Sequence, residues 1–212
     1  MKLKRKLLSD SRLCLIIDKE TAGNKSILRI ASEIKASGIP CIIQFRDKIS
    51  KKADILKEAC NLKKLLLKSS IVFIINDYLD IAKITDCDGI HIGQEDINIV
   101  SARGILGKEK IIGVSCHSLK QAKQARDNGA DYIGIGPVFG TPTKPEYKPI
   151  GLKMLSRVVK QIDIPVFAIG GINKDNIQQL TSAGADRIAV VRAVCQAENT
   201  KKELKQIRSI LK

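Results

Sequence analysis

Two short polar clusters, Asn76-Asp77 and Gln94-Glu95-Asp96, each follow a β-branched run, Val72–Ile75 and Gly89–Ile92. If the runs are neighbouring parallel strands joined by a helix over Tyr78–Thr85, Asp77 and Asp96 emerge side by side at one edge of a sheet. Two carboxylates converging at strand ends suit a hard, oxygen-seeking cation such as Mg²⁺. That ion keeps several waters and completes its shell with phosphate oxygens. The chemistry indicated is that of a phosphorylated or pyrophosphorylated substrate. The same two carboxylates would serve equally as caps of helix N-termini.

The elements that must position this pair alternate along the whole chain. Apolar runs at Leu13–Asp18, Cys41–Arg46, Ile111–Cys116, Tyr132–Gly136, Pro165–Ile169 and Arg187–Val191 read as further strands. Helical spacing appears between them. Ile27, Ile30, Ala31 and Ile34 line one face of Lys25–Ser37, which Gly38 and Pro40 break, and Ile55, Ala59, Leu62 and Leu66 line Lys51–Lys68. Ser118-Leu119-Lys120-Gln121 has the form of a capping box opening a helix that ends near Asn128-Gly129. Helices are also expected over Leu152–Gln161, from a cap at Asn173 to Ala183, and over Lys201–Leu211. The fragments Gly129-Ala130-Asp131 and Gly184-Ala185-Asp186, with Asp88-Gly89 a weaker copy, place an Asp just before a strand as repeated units would. Eight strand–helix pairs in 212 residues fit a single-domain α/β chain, a (β/α)8 TIM barrel over residues 1–212, with residues 1–10 as a basic N-terminal extension. A doubly wound open sheet would carry a glycine-rich loop after its first strand, and Asp18–Asn24 holds only Gly23.

Composition narrows the function classes. The basic start, Met1–Lys6, is not followed by an apolar stretch of about 7–15 residues, and no run approaches the roughly 18 apolar residues of a spanning helix. The six cysteines are scattered without a C-x-x-C pair, as in a reducing cytoplasm, so neither disulfides nor a zinc site is expected. A net charge of +15 invites a nucleic-acid reading, but the lysines are spread over several helices, and 3% aromatic residues offer little for base stacking. The expected partners are small polyanions, with no nucleic acid and no membrane.

In a barrel the active site lies at the C-terminal strand ends. Those positions hold Gln44-Phe45-Arg46-Asp47-Lys48, Asn76-Asp77, Gln94-Glu95-Asp96 and Ser115-Cys116-His117. They also hold Thr141-Pro142-Thr143-Lys144 in the long loop 137–149, then Gly170-Gly171, and Val191-Arg192. Gly170-Gly171 before an Asn-capped helix reads as a phosphate cradle, or as a tight turn that needs positive φ. Arg46 and Lys48 could each point inward or snorkel outward; pointing inward beside the carboxylate pair, they would clamp a pyrophosphate. His117 offers an acid–base group or a structural imidazole, and His91, inside its strand, is expected to be packed.

These motifs, in this order, resemble the thiamine phosphate synthase family: Gln44–Lys48, Asn76-Asp77, the G-I-H-I-G-Q-E-D of residues 89–96, Gly113–His117, Gly136–Lys144, Ile169–Ile172 and Gly184–Val191. The resemblance implies that Gln44, Arg46, Lys48, Asn76, Ser115 and Lys144 hold a pyrimidine diphosphate, with Phe45 and Asp47 in the same segment. It implies Asp77 and Asp96 as Mg²⁺ ligands. Thr141, Thr143, Gly170 or Gly171, and the Val191-Arg192 turn would hold a thiazole phosphate, and Pro142 is a further substrate-binding residue. The family joins 4-amino-2-methyl-5-(diphosphomethyl)pyrimidine to the thiazole phosphate through a pyrimidinylmethyl cation. Pyrophosphate is released, and CO2 as well when the thiazole is carboxylated. Arg46, Lys48, Ser115 and Lys144 would carry the catalysis. Two positions depart from the family: Asp47 stands where Glu is frequent, and Arg192 where Ser is usual. The rivals are a thiazole tautomerase using His117, which needs neither the Asp pair nor the Lys clamp, and a basic barrel that binds nucleic acid without catalysis.

Overall fold

The computed structural model describes residues 2–142 and 147–211. Eight parallel strands close in sequential order: β1 (Leu13–Asp18), β2 (Cys41–Arg46), β3 (Ile71–Asn76), β4 (Gly89–Ile92), β5 (Ile111–Cys116), β6 (Tyr132–Ile135), β7 (Val166–Ile169) and β8 (Ile188–Val190), with β8 pairing back onto β1. Closure leaves no edge strand, so every strand pairs on both sides. The larger helices of the outer ring are α3 (Ile27–Ala36), α4 (Lys52–Leu66), α6 (Ile99–Leu106), α7 (Leu119–Asp127), α8 (Gly151–Gln161) and α11 (Thr200–Ile210). Shorter turns of helix fill the remaining connections: α2 (Lys19–Ala22), α5 (Leu79–Ile84), α9 (Ile177–Ser182) and α10 (Arg192–Cys195).

Local chemistry explains the helix starts. Ser26, Asn98, Ser118 and Asn199 each accept a backbone N–H three residues on, opening α3, α6, α7 and α11. Each such cap is worth about 1 kcal/mol. Gln121 turns back to accept the N–H of His117 at 2.7 Å, a variant of the capping box that ties α7 to the end of β5. Asn173 is not the cap of the following helix. Its side chain accepts from Asp175 N, and the regular helix α9 begins only after Asn176, which accepts from Asn173 N. An Asx turn there competes with the helix for the same amides.

Period-two alternation sorts the strand side chains into two layers. Outward residues such as Leu15, Ile17, Ile43, Phe45 and Phe73 join the buried faces of the helices in the larger core cluster. Inward residues, among them Cys14, Ile16, Ile42, Val72, Ile74, Ile111, Tyr132 and Phe167, fill the barrel itself. Toward the C-terminal strand ends the inward positions turn polar, with Asp18, Gln44, Asn76 and His91 all buried. A barrel filled with aliphatics below and polar groups above can hold a charged ligand only at its upper mouth.

The basic N-terminal segment is a helix, α1 (Lys2–Asp10), and it packs against the opposite mouth. Leu8 is 3% exposed and belongs to the barrel-interior cluster. Lys4 Nζ lies 3.0 Å from Asp88, and Arg5 lies 3.2 Å from Asp131. These aspartates account for two of the three copies of the repeat in the sequence: Asp88 accepts the amide of Phe73, and Asp131 that of Ile112, each at 2.9 Å, whereas Asp186 pairs with Arg187. Asp88 and Asp131 thus each stitch the entry of their own strand to the strand before it, and α1 neutralises both carboxylates. Among the described residues no helix is long and apolar enough to cross a membrane.

Candidate active site

The upper mouth opens into a cleft enclosing about 1090 Å³, including space open to solvent. Its floor is set by Cys14, Tyr132 and Phe167, and its polar wall by Asp18, Gln44, Arg46, Asn76, His91 and Ser115. Gln44 donates to Asn76 Oδ1 at 2.7 Å, which fixes both amides across β2 and β3. His91 is buried, yet both ring nitrogens are engaged with hydroxyl groups, Tyr132 at 3.0 Å and Ser115 at 2.9 Å. Gln94 donates to the Ser115 carbonyl at 2.6 Å.

On the arc of β2 to β4 the charged groups stand together. Arg46 is held by the carboxylate of Asp18, which also accepts Thr21 N at 2.9 Å and Thr21 Oγ1 at 2.6 Å. Lys48 forms an ion pair with Asp77. Asp77 takes a left-handed backbone, φ 61°, and donates its N–H to the His91 carbonyl at 2.9 Å, extending β3 by one residue. Such a conformation is uncommon for a residue with a side chain, though Asp tolerates it. Burial pushes the Asp77 carboxyl above its usual range; Lys48 pulls it back and the neighbouring Asp96 carboxylate adds to the rise. Asp77 in turn raises the Lys48 ammonium. Asp96 accepts Gly93 N at 2.7 Å.

The donor set around this pair fits Mg²⁺. Two carboxylates lie close enough to perturb one another, and among the described residues no group of three or more His, Cys, Asp or Glu side chains forms a closed site. Two carboxylates with room left for water and phosphate match that ion's habit, whereas a transition-metal cage would need nitrogen or sulfur.

On the opposite arc, β7 ends in Gly170 and Gly171, with φ 98° and 65°. A Cβ at Gly170 would stand 2.4 Å from Pro137 Cβ, and one at Gly171 would stand 2.5 Å from the Gly140 carbonyl oxygen. Both glycines are therefore demanded by the turn and by the close approach of the β6 loop, which hydrogen-bonds to Ile169 and Gly170 through Val138 N and Phe139 N. Thr141, Val191 and Arg192 also line the cleft here, with the Arg192 side chain exposed.

Several residues of the expected site stand elsewhere. Phe45 points outward into the strand–helix core and is 1% exposed. Asp47 is buried and accepts the amides of Ile49 and Ser50, so its carboxylate shapes the loop that carries Lys48. Pro142 is exposed on the loop after β6, while Thr143 and Lys144 lie outside the described residues. His117 reaches the cleft, with Nδ1 donating to the Gly136 carbonyl at 2.6 Å and its ring stacked on Tyr147 at 4.6 Å. Four residues of this floor and polar wall are not among those the sequence points to: Asp18, Cys14, Tyr132 and Phe167. The first two share inward parity with Ile16, which was the available signal. Tyr132 had none, because its partners lie on other strands.

Comparison with known proteins agrees with this geometry. The family model described as thiamine monophosphate synthase matches residues 13–194. The thiamine-phosphate synthase of Halalkalibacterium halodurans is 40% identical over 205 residues, covering 96% of this chain and 97% of that protein. The thiamine-phosphate synthase of Lawsonia intracellularis is 38% identical over 203 residues, covering 95% of this chain and 93% of that protein. Among solved structures, thiamine phosphate pyrophosphorylase from Pyrococcus furiosus superposes with a TM-score of 0.86 at 35% identity, covering 98% of this chain and 96% of that one.

Proposed function

The chain belongs to the thiamine monophosphate synthase family, its activity is that of a thiamine-phosphate synthase, a transferase, and on that premise we propose how its own residues perform the coupling. The observation that carries the assignment of roles is the placement of charged side chains and a glycine turn on two opposite arcs of the upper mouth, with Arg46, Gly170, Gly171 and Arg192 lining the cleft itself. Arg46, Lys48, Asp77 and Asp96 follow β2 to β4, whereas Gly170, Gly171 and Arg192 follow β7 and β8.

The first arc takes the pyrimidine diphosphate. Asp77 and Asp96 hold Mg²⁺, which supplies charge neutralisation on the diphosphate oxygens when bound. Arg46, kept in place by Asp18, and Lys48, exchanging its contact with Asp77 for a phosphate oxygen, bind the same group, and the family resemblance adds Lys144, which lies outside the described residues. Gln44, Asn76 and Ser115 contact the pyrimidine ring and its linker. The second arc takes the thiazole phosphate on the Gly170-Gly171 turn, with Thr141 and the Val191-Arg192 turn lining the same cleft, and the family resemblance adds Thr143, which lies outside the described residues.

Chemistry then requires little beyond positioning and charge. The methylene C–O bond breaks and its electron pair leaves with pyrophosphate, whose growing charge Arg46, Lys48 and Lys144 stabilise. The pyrimidinylmethyl cation is captured by the thiazole nitrogen lone pair, forming the C–N bond. Neither step needs a side-chain nucleophile or a strong base, in keeping with the amides and cations along the wall. Calorimetric titration of the pyrimidine diphosphate tests the assignment. Binding should require Mg²⁺ in the wild type and lose that requirement, with at least about tenfold lower affinity, in Asp77→Asn. Equal, Mg²⁺-dependent binding by both proteins would contradict it.

A further inference from the structure

Beneath the cleft, side chains from three consecutive strands form one hydrogen-bonded chain, in the order Tyr132 hydroxyl (β6), His91 (β4), Ser115 hydroxyl (β5). The barrel is built around it. A Cβ at Gly113 would stand 2.1 Å from Tyr132 Cζ and 2.5 Å from its hydroxyl oxygen, so only glycine on β5 lets the phenol pass across to the imidazole. Gly134 on β6 faces His91, where a Cβ would meet Cε1 at 3.6 Å, an ordinary van der Waals contact. An edge contact with Phe167, at 5.6 Å and 80°, fixes the phenol ring from the other side.

This arrangement sets the direction of the hydrogen bonds. Tyr132 is 1% exposed, and burial raises its phenol well above the usual range, so it keeps its proton. A buried hydroxyl must donate to something, and the partner within reach is His91 Nδ1. An imidazole that accepts at Nδ1 carries its proton on Nε2. Nε2–H then donates to Ser115 Oγ, and the serine's own proton turns away from the histidine toward the cleft that Ser115 lines. Gln94, gripping the Ser115 carbonyl, keeps the backbone from following.

We propose that His91 is a positioning residue: by relaying the Tyr132 hydrogen bond it fixes Ser115 as a hydrogen-bond donor to an acceptor atom of the pyrimidine diphosphate. The identity of that acceptor rests on the synthase reading; the tautomer of His91 does not. With the opposite polarity, Nδ1–H toward Tyr132, Ser115 would spend its proton on His91 and meet the substrate only as an acceptor.

Two readouts on the full chain test this. The protein has two histidines, so ¹⁵N spectra of histidine-labelled protein can be assigned with His117→Asn. The wild type should show His91 neutral, protonated on Nε2 alone, and Tyr132→Phe should show a mixture of tautomers. In steady-state assays Tyr132→Phe should raise the pyrimidine diphosphate KM about tenfold with a smaller change in kcat, the loss expected for one misdirected hydrogen bond. In a Ser115→Ala background the same substitution should change KM less than about twofold, because the two residues act as one unit. A wild-type His91 protonated on Nδ1, or a Tyr132→Phe effect equally large without Ser115, would overturn the proposal. Absence of any coupling activity in the wild type would instead remove the synthase reading and the named acceptor, with the spectra still deciding the tautomer.

Discussion

The buried carboxylate of Asp18 holds the guanidinium of Arg46 across β1 and β2, where the two residues are paired in register. Asp18 is 1% exposed and also caps α2 through Thr21. Arg46 therefore meets an incoming diphosphate already oriented, with little side-chain freedom left to lose. Asp18→Asn keeps an acceptor for Thr21 but removes the charge that anchors Arg46. The pyrimidine diphosphate KM should rise about tenfold while the thiazole phosphate KM stays within about twofold, as steady-state kinetics with each substrate varied would show.

The second anion site makes the complementary prediction. Arg192 follows β8 beside Gly170 and Gly171, and its guanidinium can pair with phosphate oxygens in a way serine cannot. Arg192→Ser should raise the thiazole phosphate KM about tenfold and leave the pyrimidine diphosphate KM unchanged. An unchanged thiazole KM would mean that the side chain points outward and only its backbone takes part.

The two mouths of the barrel should separate stability from activity. Asp131 has a side chain only 10% exposed, accepts the Ile112 amide, and pairs with Arg103 at 2.6 Å and Arg5 at 3.2 Å. Asp131→Ala leaves the Ile112 amide without its carboxylate acceptor and removes the counter-ion shared by Arg5 and Arg103 at the entry of β6, far from the cleft. It should cost about 2–4 kcal/mol in denaturant unfolding with kcat/KM preserved.

At the rim of the helix ring, Glu33 of α3 meets the start of α11. Contacts from Thr200 first, and then from Arg29, lower the Glu33 carboxyl below its usual range. The folded state thus holds this proton more weakly than the unfolded chain. The contribution is complete above the ordinary glutamate range and is lost as pH falls through the depressed value. Glu33→Gln should lower Tm by about 2 °C at pH 7, with the difference closing as pH falls below the ordinary glutamate range and through the depressed value. A gap that persisted in acid would trace the effect to packing instead of charge.

The strand sequence and closure were legible because apolar runs, each bounded by turn residues, recur at the spacing of βα units. The charged rim was legible for the same reason: residues after each strand share one mouth. Side-chain direction within those segments was less so. Gln44 and Arg46 turn inward while Phe45 packs outward, and Asp47 folds back on its own loop, although all four are contiguous. Helix α6 escaped notice because Gly104 and the exposed Val100 and Ile105 blur its periodicity. Helix α10 spans only Arg192–Cys195, too short for any pattern. His91 was expected to be packed, and it is buried, but its role emerges only from Tyr132 and Ser115, which lie 41 and 24 residues away in the chain.

The central claim is that the Asp77–Asp96 arc directs displacement of pyrophosphate from the pyrimidine substrate. The most direct measurement follows thiamine phosphate and pyrophosphate formation from the two substrates, with and without Mg²⁺, in the wild type and in Asp77→Asn. Asparagine is the substitution of choice because it tolerates the left-handed backbone that Asp77 adopts, so folding is preserved. The account predicts equimolar products that require Mg²⁺ in the wild type, and a fall in turnover of about 100-fold or more in the variant. Undiminished, Mg²⁺-independent turnover by Asp77→Asn would contradict it.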